Sequence, residues 1–441
     1  MELPADACAD EPGTLVLEVT GLGSGPDAVA RHDGCVVFVP GAAPGDRVRV
    51  RIVEHHHSYL RAELVHRCSP GPAYREPPCP WAAECGGCPW QHVAYPAQLA
   101  AKARTVREAL ARIARVAAWQ ELPIIGAPDE WGYRHRIRLH AGPGGTLGYR
   151  RPRSHAVVEI GHCAIAEPLL ATVVGPLRAL VPRLGVPLES IELVANGRGG
   201  VVVLAVARAP ARTDVATRLA RIMDAAPSVA GVELRGARER CSVGDVRVIV
   251  TPGADGPRIT QRAGSFTQVN PAANRLLVQS VVTMATPETR ALDLFCGAGN
   301  LSLPLACAGL AVLGVDRDRD AIADARASGA AAGLASLRFE AIAADAFLRQ
   351  QGLAGADLVV LDPPRGGATS TVAQLARLRP RRIVYVSCDP ATLARDVRLL
   401  GAAGYAIARV QAVDLFPQTA HVEVVLEAVS TLARGAGLTA R

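Results

Sequence analysis

From about residue 272 onward, helical segments alternate with short apolar strands, and this alternation restricts the possible fold more than any other feature of the chain. The predicted strands lie at residues 291–295, 311–315, 357–361, 382–387 and 422–426. Strands that alternate with helices in this way are typical of a doubly wound parallel sheet. Ligands of such sheets bind beyond the carboxyl ends of the strands. We therefore expect the functional residues of this region directly after its strands.

The first of these strands ends in a glycine-rich turn. Residues 293–300 read Asp-Leu-Phe-Cys-Gly-Ala-Gly-Asn, a helix is predicted from Leu301, and the next strand ends at Asp316. Glycines let a ligand approach the turn closely, and an acid at the second strand end can hold a ribose diol. The third glycine of a dinucleotide-binding turn is replaced by Ser302, and no P-loop lysine is present. The pattern favours an adenosine ligand without pyrophosphate, which points to S-adenosylmethionine.

Asp345 follows the next predicted strand and has two possible roles. Its carboxylate has the position to meet the amine of an adenine ring. It equally has the position of an N-cap for a helix predicted at 346–351. The residues alone leave both interpretations open.

Two later strand ends carry residues suited to catalysis. Asp362 opens an Asp-Pro-Pro-Arg turn, in which Arg365 stands where methylases of exocyclic amines tend to have an aromatic residue. Cys388 ends the following strand. A thiolate that adds to carbon 6 of a uracil makes carbon 5 able to attack a methyl donor. The proton on carbon 5 must then be removed by a base, and His421 and Glu423 are the candidates near the last strand.

The eleven cysteines include three within ten residues, at Cys79, Cys85 and Cys88. No signal peptide is predicted, and disulfides are rare in the cytosol, so this cluster indicates metal binding. Glycines at positions 86 and 87 allow tight folding around a shared ligand. Cys163 is the best distant candidate for a fourth ligand, in competition with His92 and His162. Spacing does not distinguish zinc from an iron–sulfur cluster.

The N-terminal part has a different pattern. Residues 13–67 show short alternating strands between Gly and Pro turns, which predicts a small barrel. One strand presents Arg47, Arg49 and Arg51 on a single face, which suits either a solvated surface or a nucleic-acid surface. The net charge of +7 is compatible with a polyanionic partner. Between this barrel and the C-terminal region, a helix is predicted at 96–117 and a mixed α+β region at 131–250.

The chain resembles the bacterial 5-methyluridine RNA methyltransferases, specifically the 23S ribosomal RNA branch with a TRAM domain and an iron–sulfur cluster. The resemblance covers about residues 12–427. The motifs that carry it are Pro44-Gly-Asp46, Cys79 to Cys88 with Gln91-His92, Phe266-Thr-Gln268-Val-Asn270, Phe295 to Asn300, Asp362-Pro-Pro-Arg365, Ser387-Cys388 and His421-Val-Glu423. It implies methyl transfer from S-adenosylmethionine to carbon 5 of a uridine in RNA, with 23S ribosomal RNA as the expected substrate.

The resemblance also implies roles for individual residues. Cys388 matches the nucleophile and Glu423 the base, while Arg134 falls where the family has a substrate-facing arginine. The residues expected to bind the cofactor, from the motifs and the resemblance together, are Gln268, Phe295, Gly297, Gly299, Asn300, Asp316, Asp345 and Asp362. The implied [4Fe–4S] ligands are Cys79, Cys85, Cys88 and Cys163. Asp389 stands where Asn is common, and a second anion there is expected to raise the pKa of the Cys388 thiol.

We therefore predict a three-part chain. Residues 12–68 form a TRAM-like β-barrel that binds RNA, residues 69–270 an α+β domain with the iron–sulfur site, and residues 271–441 a Rossmann-like class I methyltransferase domain. We expect a cytoplasmic protein with no membrane span and no obligate protein partner. The alternatives are a transfer RNA methyltransferase of the same family, a non-catalytic RNA-binding protein that kept the fold, and a small-molecule methylase.

Overall fold

The computed structural model describes residues 11–183, 185, 187–208, 214–236, 240–253 and 256–431. By internal contacts the chain divides into two compact units. The first comprises the described residues up to Thr105, together with Arg150–Val158 and Phe416–His421. The second comprises Val106–Tyr149, Glu159–Leu415 and the chain from Val422 onward. The three-domain boundaries predicted from the sequence stay a prediction, and residues 432–441 lie outside the described residues.

The first unit contains a closed five-stranded barrel, as the alternating strands predicted. Its strands are β1 (Leu15–Leu22), β2 (Ala28–His32), β3 (Cys35–Val39), β4 (Arg47–His55) and β5 (Tyr59–Ser69), in the order β1-β2-β3-β5-β4. Val48 and Val50 point into the barrel and are fully buried, whereas Arg47 and Arg51 are exposed. This alternation follows from the two-residue period of a strand. The arginine face therefore lies on the outside of the barrel.

The buried carboxylate of Asp46 ties the barrel to the chain that leaves it. Its Oδ2 accepts hydrogen bonds from the backbone of Ala43 and from Arg67 Nε, both at 2.8 Å. Its Oδ1 accepts the backbone N–H of Gly71 at 2.7 Å. The helix α1 (Tyr95–Ala109) follows and continues as a π-helical turn at Leu110–Ala114. The predicted helix at 96–117 is therefore shorter than expected, and it ends at Arg115, whose φ of 57° is left-handed.

The second unit contains a mixed sheet with helices. Its strands are β7 (Arg136–Ala141), β8 (Leu147–Arg150), β10 (Leu188–Ala195), β11 (Val201–Ala207), β12 (Val229–Arg235) and β13 (Arg240–Gly244), in the order β13-β12-β11-β10-β7-β8. The short strand β9 (Val157–Glu159) begins in the residues assigned to the first unit. Two helices, α2 (Pro168–Leu180) and α3 (Val215–Ala225), accompany this sheet, and β14 (Arg247–Val250) pairs with β15 (Ile259–Arg262). The mixed α+β region predicted at 131–250 agrees with these strands and helices.

An eight-stranded sheet forms the C-terminal part of the second unit. Its strands are β6 (Gln120–Ile125), β16 (Arg290–Leu294), β17 (Ala311–Asp316), β18 (Leu337–Ala341), β19 (Leu358–Leu361), β20 (Arg382–Ser387), β21 (Tyr405–Val413) and β22 (Glu423–Ser430). The order is β18-β17-β16-β19-β20-β22-β21-β6. Strands β16 to β20 are parallel, and β22 is antiparallel to both of its neighbours. Four of the five predicted strands are therefore parallel, whereas the fifth, at 422–426, corresponds to β22 and is antiparallel.

Helices connect these strands, and their first residues follow capping rules. They are α4 (Pro271–Ala285), α5 (Ser302–Cys307), α6 (Arg319–Ala331), α7 (Ala344–Gln351), α8 (Thr369–Leu378) and α9 (Pro390–Ala402). Asn270, Asp318 and Asp389 cap α4, α6 and α9 with side-chain oxygens. Apolar residues of the sheet and of these helices form a continuous core. Within the described part of the chain, no helix combines the length and apolar character needed to cross a membrane.

Candidate active site

Three neighbouring parallel strands end at the same edge of the eight-stranded sheet. Leu294, the last residue of β16, pairs with Val315 of β17 and with Leu361, the last residue of β19. The residues that follow these strand ends, Phe295 and Asp362, and Asp316 at the end of β17, therefore lie side by side. This is the edge at which a sheet of this type binds its ligands.

The glycine turn after β16 leaves space beside its backbone. Gly297 has a φ of 54°, and a Cβ atom built there meets no atom within 4 Å among the described residues, its chain neighbours aside. At Gly299, with a φ of 96°, a Cβ atom would lie 2.3 Å from Leu303 Cδ1, so a side chain has no room. The first glycine is thus open to a ligand, and the second is required for packing.

Asp316 supports this turn from the end of β17. Its Oδ2 accepts the backbone N–H of Gly297 at 2.9 Å, and its Oδ1 accepts that of Asp318 at 2.9 Å. Each carboxylate oxygen has two lone pairs, so both oxygens retain an acceptor site for the hydroxyls of a diol. The carboxylate predicted to bind a ribose is therefore held rigidly by backbone donors.

Asp293 is a candidate ligand-binding residue to which the sequence analysis assigned no role. It is fully buried, and burial raises the pKa of its carboxyl group to about 7. The Ser302 hydroxyl donates to Asp293 Oδ2, which explains the serine at the position of the third glycine. Asp293 Oδ1 is buried and has no hydrogen-bond partner among the described residues. An unsatisfied buried acceptor next to the glycine turn fits a ligand with a charged amine, such as S-adenosylmethionine.

The segment that carries Gln268 is held by a buried histidine. His135 Nδ1 donates to the carbonyl oxygen of Val269 at 3.0 Å, and its Nε2 accepts from the Thr267 hydroxyl at 3.3 Å. Burial lowers the pKa of His135 to about 4, which matches a neutral ring with one donor and one acceptor nitrogen. The half-buried Gln268 is thus presented from a fixed backbone.

Two other residues of the predicted cofactor set have well-defined partners. Asn300 and Asn274 exchange amide hydrogen bonds of 2.9 and 3.1 Å, which ties the glycine turn to α4. The Asp345 carboxylate accepts hydrogen bonds from the hydroxyls of Ser370, at 2.6 Å, and Thr371. The interpretation of Asp345 as an N-cap is wrong, because α7 begins at Ala344 and its capping residue is Ala343.

Strand pairing places the predicted nucleophile opposite the predicted base. Ser387 at the end of β20 pairs with Val424 of the antiparallel strand β22. Cys388 directly follows β20, and Glu423 directly precedes Val424 on β22, so the two residues adjoin this last pair of the ladder. Cys388 is half-buried, and Glu423 is 3% exposed. Strand pairing therefore brings together two residues that are 35 positions apart in the sequence.

The charged groups at this edge act on one another. Burial raises the pKa of Asp362 to about 7, and burial followed by the Asp362 charge raises that of Glu423 to about 8. Burial and then the Glu423 carboxylate raise the pKa of the Cys388 thiol to about 11. Arg365 opposes the last two shifts but does not cancel them. A cationic ligand is therefore favoured at this edge, because it lowers the cost of ionising all three groups.

The structure does not support the prediction that Asp389 raises the pKa of the Cys388 thiol. Its Oδ1 accepts the backbone N–H groups of Ala391 and Thr392, both at 2.9 Å, as the N-cap of α9. Burial is the largest cause of the raised Cys388 pKa, and Glu423 is the largest electrostatic cause. The carboxylate of Asp389 is directed at the first turn of the helix, where it stabilises the positive end of the helix dipole.

Two residues of α9 also hold the segment that follows the Asp-Pro-Pro-Arg turn. Asp396 is fully buried, and its Oδ2 accepts from the Tyr385 hydroxyl and from the backbone N–H of Ala368, both at 2.8 Å. Arg395 donates to the carbonyl oxygen of Gly366 at 2.9 Å. These supporting hydrogen bonds are not apparent in the sequence, because each bond joins residues that are far apart along the chain.

The other predicted residues are placed as follows. His421, the competing candidate for the base, is exposed, and its ring packs edge-on against Phe416. Arg134 is half-buried at the start of β7, and its backbone N–H donates to the carbonyl oxygen of Ile165 at 2.7 Å.

The cysteine segment of the first unit is a series of tight turns. Cys79, Cys85 and Cys88 are half-buried thiols. The backbone N–H of Gly87 points at Cys85 Sγ, 3.4 Å away. Across the described residues, no group of three or more His, Cys, Asp or Glu side chains is arranged to hold a metal ion. Methyl transfer needs no electron, so a cluster at these thiols would take no part in the chemical steps.

The fold and the active edge together define a class I methyltransferase fold preceded by a small barrel. A solved structure of a Pyrococcus abyssi tRNA (uracil-54, C5)-methyltransferase, in complex with S-adenosyl-L-homocysteine, has the same fold. It aligns with a TM-score of 0.75 at 24% identity and covers 94% of this chain and 100% of that chain.

Sequence comparison identifies the family. Residues 14–65 match the TRAM domain, and residues 257–429 match the family described as tRNA (Uracil-5-)-methyltransferase. The 23S rRNA (uracil(1939)-C(5))-methyltransferase of Shewanella amazonensis is 35% identical, over 91% of this chain and 92% of its own length. That of Thiobacillus denitrificans is 36% identical, over 92% and 98%. The chain belongs to the family of S-adenosylmethionine-dependent RNA uracil-C5 methyltransferases, as its motifs predicted.

Proposed function

We propose that the protein methylates carbon 5 of a uridine in 23S ribosomal RNA through a covalent adduct at Cys388. The observation that carries this proposal is the pairing of Ser387 with Val424, which brings the adjoining Cys388 and buried Glu423 together near Asp362. The names of the relatives support the ribosomal target. The barrel and its external arginines supply a surface for the RNA, and the target base must leave its stack to reach the thiol.

The reaction has two halves at one base: methylation of carbon 5 in a covalent adduct, and release of the base from Cys388. The Cys388 thiolate forms a bond to carbon 6 of the uracil, and carbon 5 takes the methyl group from the sulfonium of S-adenosylmethionine, which leaves as S-adenosylhomocysteine. The Glu423 carboxylate then accepts the proton from carbon 5. The carbon–sulfur bond breaks, and the electron pair returns to Cys388. The surface arginine Arg365 and the sulfonium both favour the ionised thiol and carboxylate that these steps need.

We also propose the cofactor and substrate contacts. Gly297 and Asp293 give the amino acid part of S-adenosylmethionine a place beside the turn, and Asp316 accepts from its ribose. Arg134 is proposed to face the RNA. The remaining proposed cofactor contacts are Gln268, Phe295, Gly299, Asn300, Asp345 and Asp362.

The test uses unmodified 23S ribosomal RNA, unmodified transfer RNA and labelled S-adenosylmethionine. We expect 5-methyluridine in the ribosomal RNA, a loss of at least about 1000-fold with Cys388→Ala, and no loss with Cys307→Ala, an exposed cysteine on α5. Label confined to transfer RNA overturns the ribosomal target. Undiminished label with Cys388→Ala overturns the covalent mechanism, and absence of label in either RNA with the wild-type protein favours a non-catalytic RNA-binding role.

A [4Fe–4S] cluster is a separate proposal, with Cys79, Cys85 and Cys88 as ligands and Cys163 as the fourth. The N–H of Gly87 directed at Cys85 Sγ supports it, because backbone donors tune thiolate ligands of such clusters. Iron and sulfide are measured after anaerobic purification of the wild-type protein and of Cys85→Ser, Cys163→Ser and, as control, Cys307→Ser. Four iron atoms per chain, lost in the first two variants alone, are expected. Stoichiometric zinc without sulfide contradicts the proposal.

A further inference from the structure

The segment Phe416–His421 follows β21 and precedes β22 in the chain, yet by its contacts it belongs to the first unit. We call it the base loop, because Glu423 follows it with only Val422 between. The chain thus passes from the second unit into the first and back within ten residues of the proposed catalytic base. The residues that hold the base loop have no role in the mechanism described so far.

Gln98 of α1 holds the centre of the base loop by a reciprocal amide contact. Its Oε1 accepts the backbone N–H of Gln418 at 2.9 Å, and its Nε2 donates to Gln418 Oε1 at 2.8 Å. The backbone N–H of Trp90 donates to the carbonyl oxygen of Gln418 at 3.0 Å. Gln418 is fully buried and has a left-handed φ of 70°, a conformation that costs free energy for a non-glycine residue. Bonds to both its backbone and its side chain stabilise that conformation.

Lys102 lies one helical turn further along α1, on the same face as Gln98. Its Nζ donates to the carbonyl oxygen of Phe416 at 3.0 Å, and the side chain is fully buried. It is the single lysine of a chain with 48 lysines and arginines in total. A buried ammonium is costly unless it is bonded, and its compact charge fits where a planar guanidinium does not. Lys102 therefore holds the backbone of Phe416, the first residue of the base loop.

The chain is also held just before the base loop, within the second unit. Asn270 Nδ2 donates to the carbonyl oxygen of Leu415 at 3.3 Å, while Asn270 Oδ1 caps α4 at the backbone of Ala273, 3.0 Å away. Asn270 lies two residues after Gln268. The chain that leads to Glu423 is thus hydrogen-bonded both at Leu415, just before the base loop, and within the base loop, at Phe416 and Gln418.

We propose that Gln98 and Lys102 are positioning residues for the removal of the carbon 5 proton by Glu423. A base that takes a proton from carbon must be placed to within a fraction of an ångström, and a misplacement of about 1 Å can cost about 100-fold in rate. The base loop defines where β22 begins, and Glu423 is the first residue of that strand. The inference rests on the proposed function, and it predicts that Gln98 and Lys102 affect the second half of the reaction more than the first.

The test separates the two halves of the reaction. Lys102→Met and Gln98→Met keep the side-chain length and remove the hydrogen bonds to the base loop. Single-turnover reactions with ribosomal RNA are quenched in denaturant, and the covalent protein–RNA adduct and free 5-methyluridine are followed in time. We expect adduct formation within about threefold of wild type, and breakdown of the methylated adduct slowed about 10- to 100-fold, so that adduct accumulates.

Arg104→Met is the matched control. Arg104 is on the same helix, and its guanidinium donates to the backbone carbonyl oxygen of Leu22 in the barrel. We expect its adduct to break down at the wild-type rate. Thermal unfolding identifies any variant that fails to fold, and Gln98→Met alone then decides, because it leaves the lysine in place.

Two results overturn the proposal. Equal slowing of adduct formation and breakdown indicates a merely structural role for Gln98 and Lys102. Unchanged breakdown in both variants shows that the base loop does not control Glu423. If the wild-type protein forms no adduct at all, the proposed function has failed, which is a different outcome from either of these.

Discussion

Strand β22 carries two buried glutamates, Glu423 and Glu427, and they differ in almost every respect that matters for chemistry. They are four residues apart, on the same face of the strand, and are 3% and 2% exposed. Glu427 is bonded to Arg382 Nε at 2.7 Å and to Arg409 Nε at 2.5 Å. Glu423 lies near the Cys388 thiol, and burial, followed by the neighbouring Asp362 carboxylate, raises its pKa to about 8.

The different surroundings of the two glutamates show how one strand serves both folding and catalysis. A buried carboxylate with two guanidinium partners has its charge compensated and contributes to a fixed structure. A buried carboxylate beside another acid keeps a raised pKa, which is how active sites tune general bases towards neutral pH. The unbalanced charge at the carboxyl end of the sheet therefore marks the reactive end, and the balanced charge further along marks the structural end.

The largest expected effect comes from replacing each glutamate by its amide. Glu423→Gln removes the base, and we expect turnover to fall by about 100- to 10,000-fold while covalent adduct accumulates. Glu427→Gln is the matched control and should keep turnover within about twofold per folded molecule, since Arg382 and Arg409 are remote from the reacting atoms. Steady-state methylation and denaturing gels measure both. Equal losses of turnover in the two variants contradict the distinction.

Stability should respond in the opposite way. Glu427→Gln leaves two partly buried guanidinium groups without their charge partner, and we expect a loss of roughly 3 kcal/mol in the free energy of unfolding. Glu423→Gln removes a poorly compensated carboxyl group and should not destabilise the protein at neutral pH. Urea unfolding of the two variants checks this. A destabilised Glu423→Gln protein with a normal Glu427→Gln protein reverses the comparison.

The sequence predicted the reactive end of the sheet better than it predicted what supports it. Strand ends are visible in the sequence, because an apolar run followed by Asp362 or Cys388 is a local pattern. The strands β6 and β21 were missed: β6 contains Pro123, which suits only an edge strand, and β21 mixes polar with apolar residues.

The supports of the site were missed for a different reason. Asp396, His135 and Gln98 act through hydrogen bonds to residues between 11 and 320 positions away. No local pattern records such a bond, so these residues read as ordinary polar positions on helices and strands. Asp389 shows the opposite case, since its capping role is local and was overlooked beside a more interesting neighbour.

The raised pKa of Glu423 should also make the stability of the protein depend on pH. The Glu423 carboxyl group has a pKa of about 8 in the folded protein, against 4.5 ordinarily. Folding therefore retains a proton that the unfolded chain releases, so the stability linked to this group is present below pH 4.5 and is lost as the pH rises to about 8. Glu423→Gln should gain on the order of a few kcal/mol relative to wild type between pH 5 and pH 8. Urea unfolding at both pH values measures it, and a constant difference contradicts the raised pKa.

The smallest effect concerns the open glycine of the turn. Gly297→Ala forces a left-handed φ on a residue with a side chain and directs a methyl group into the space proposed for the cofactor. Gly309→Ala is the control, because Gly309 has a φ of 96°, similar open space, and an exposed position after α5. Both should lose about 1 kcal/mol of stability from the backbone. Only Gly297→Ala should raise the KM for S-adenosylmethionine, by about tenfold, because only there does the added carbon compete with the ligand. An equal KM for the two variants means that the space beside Gly297 is not where the cofactor lies.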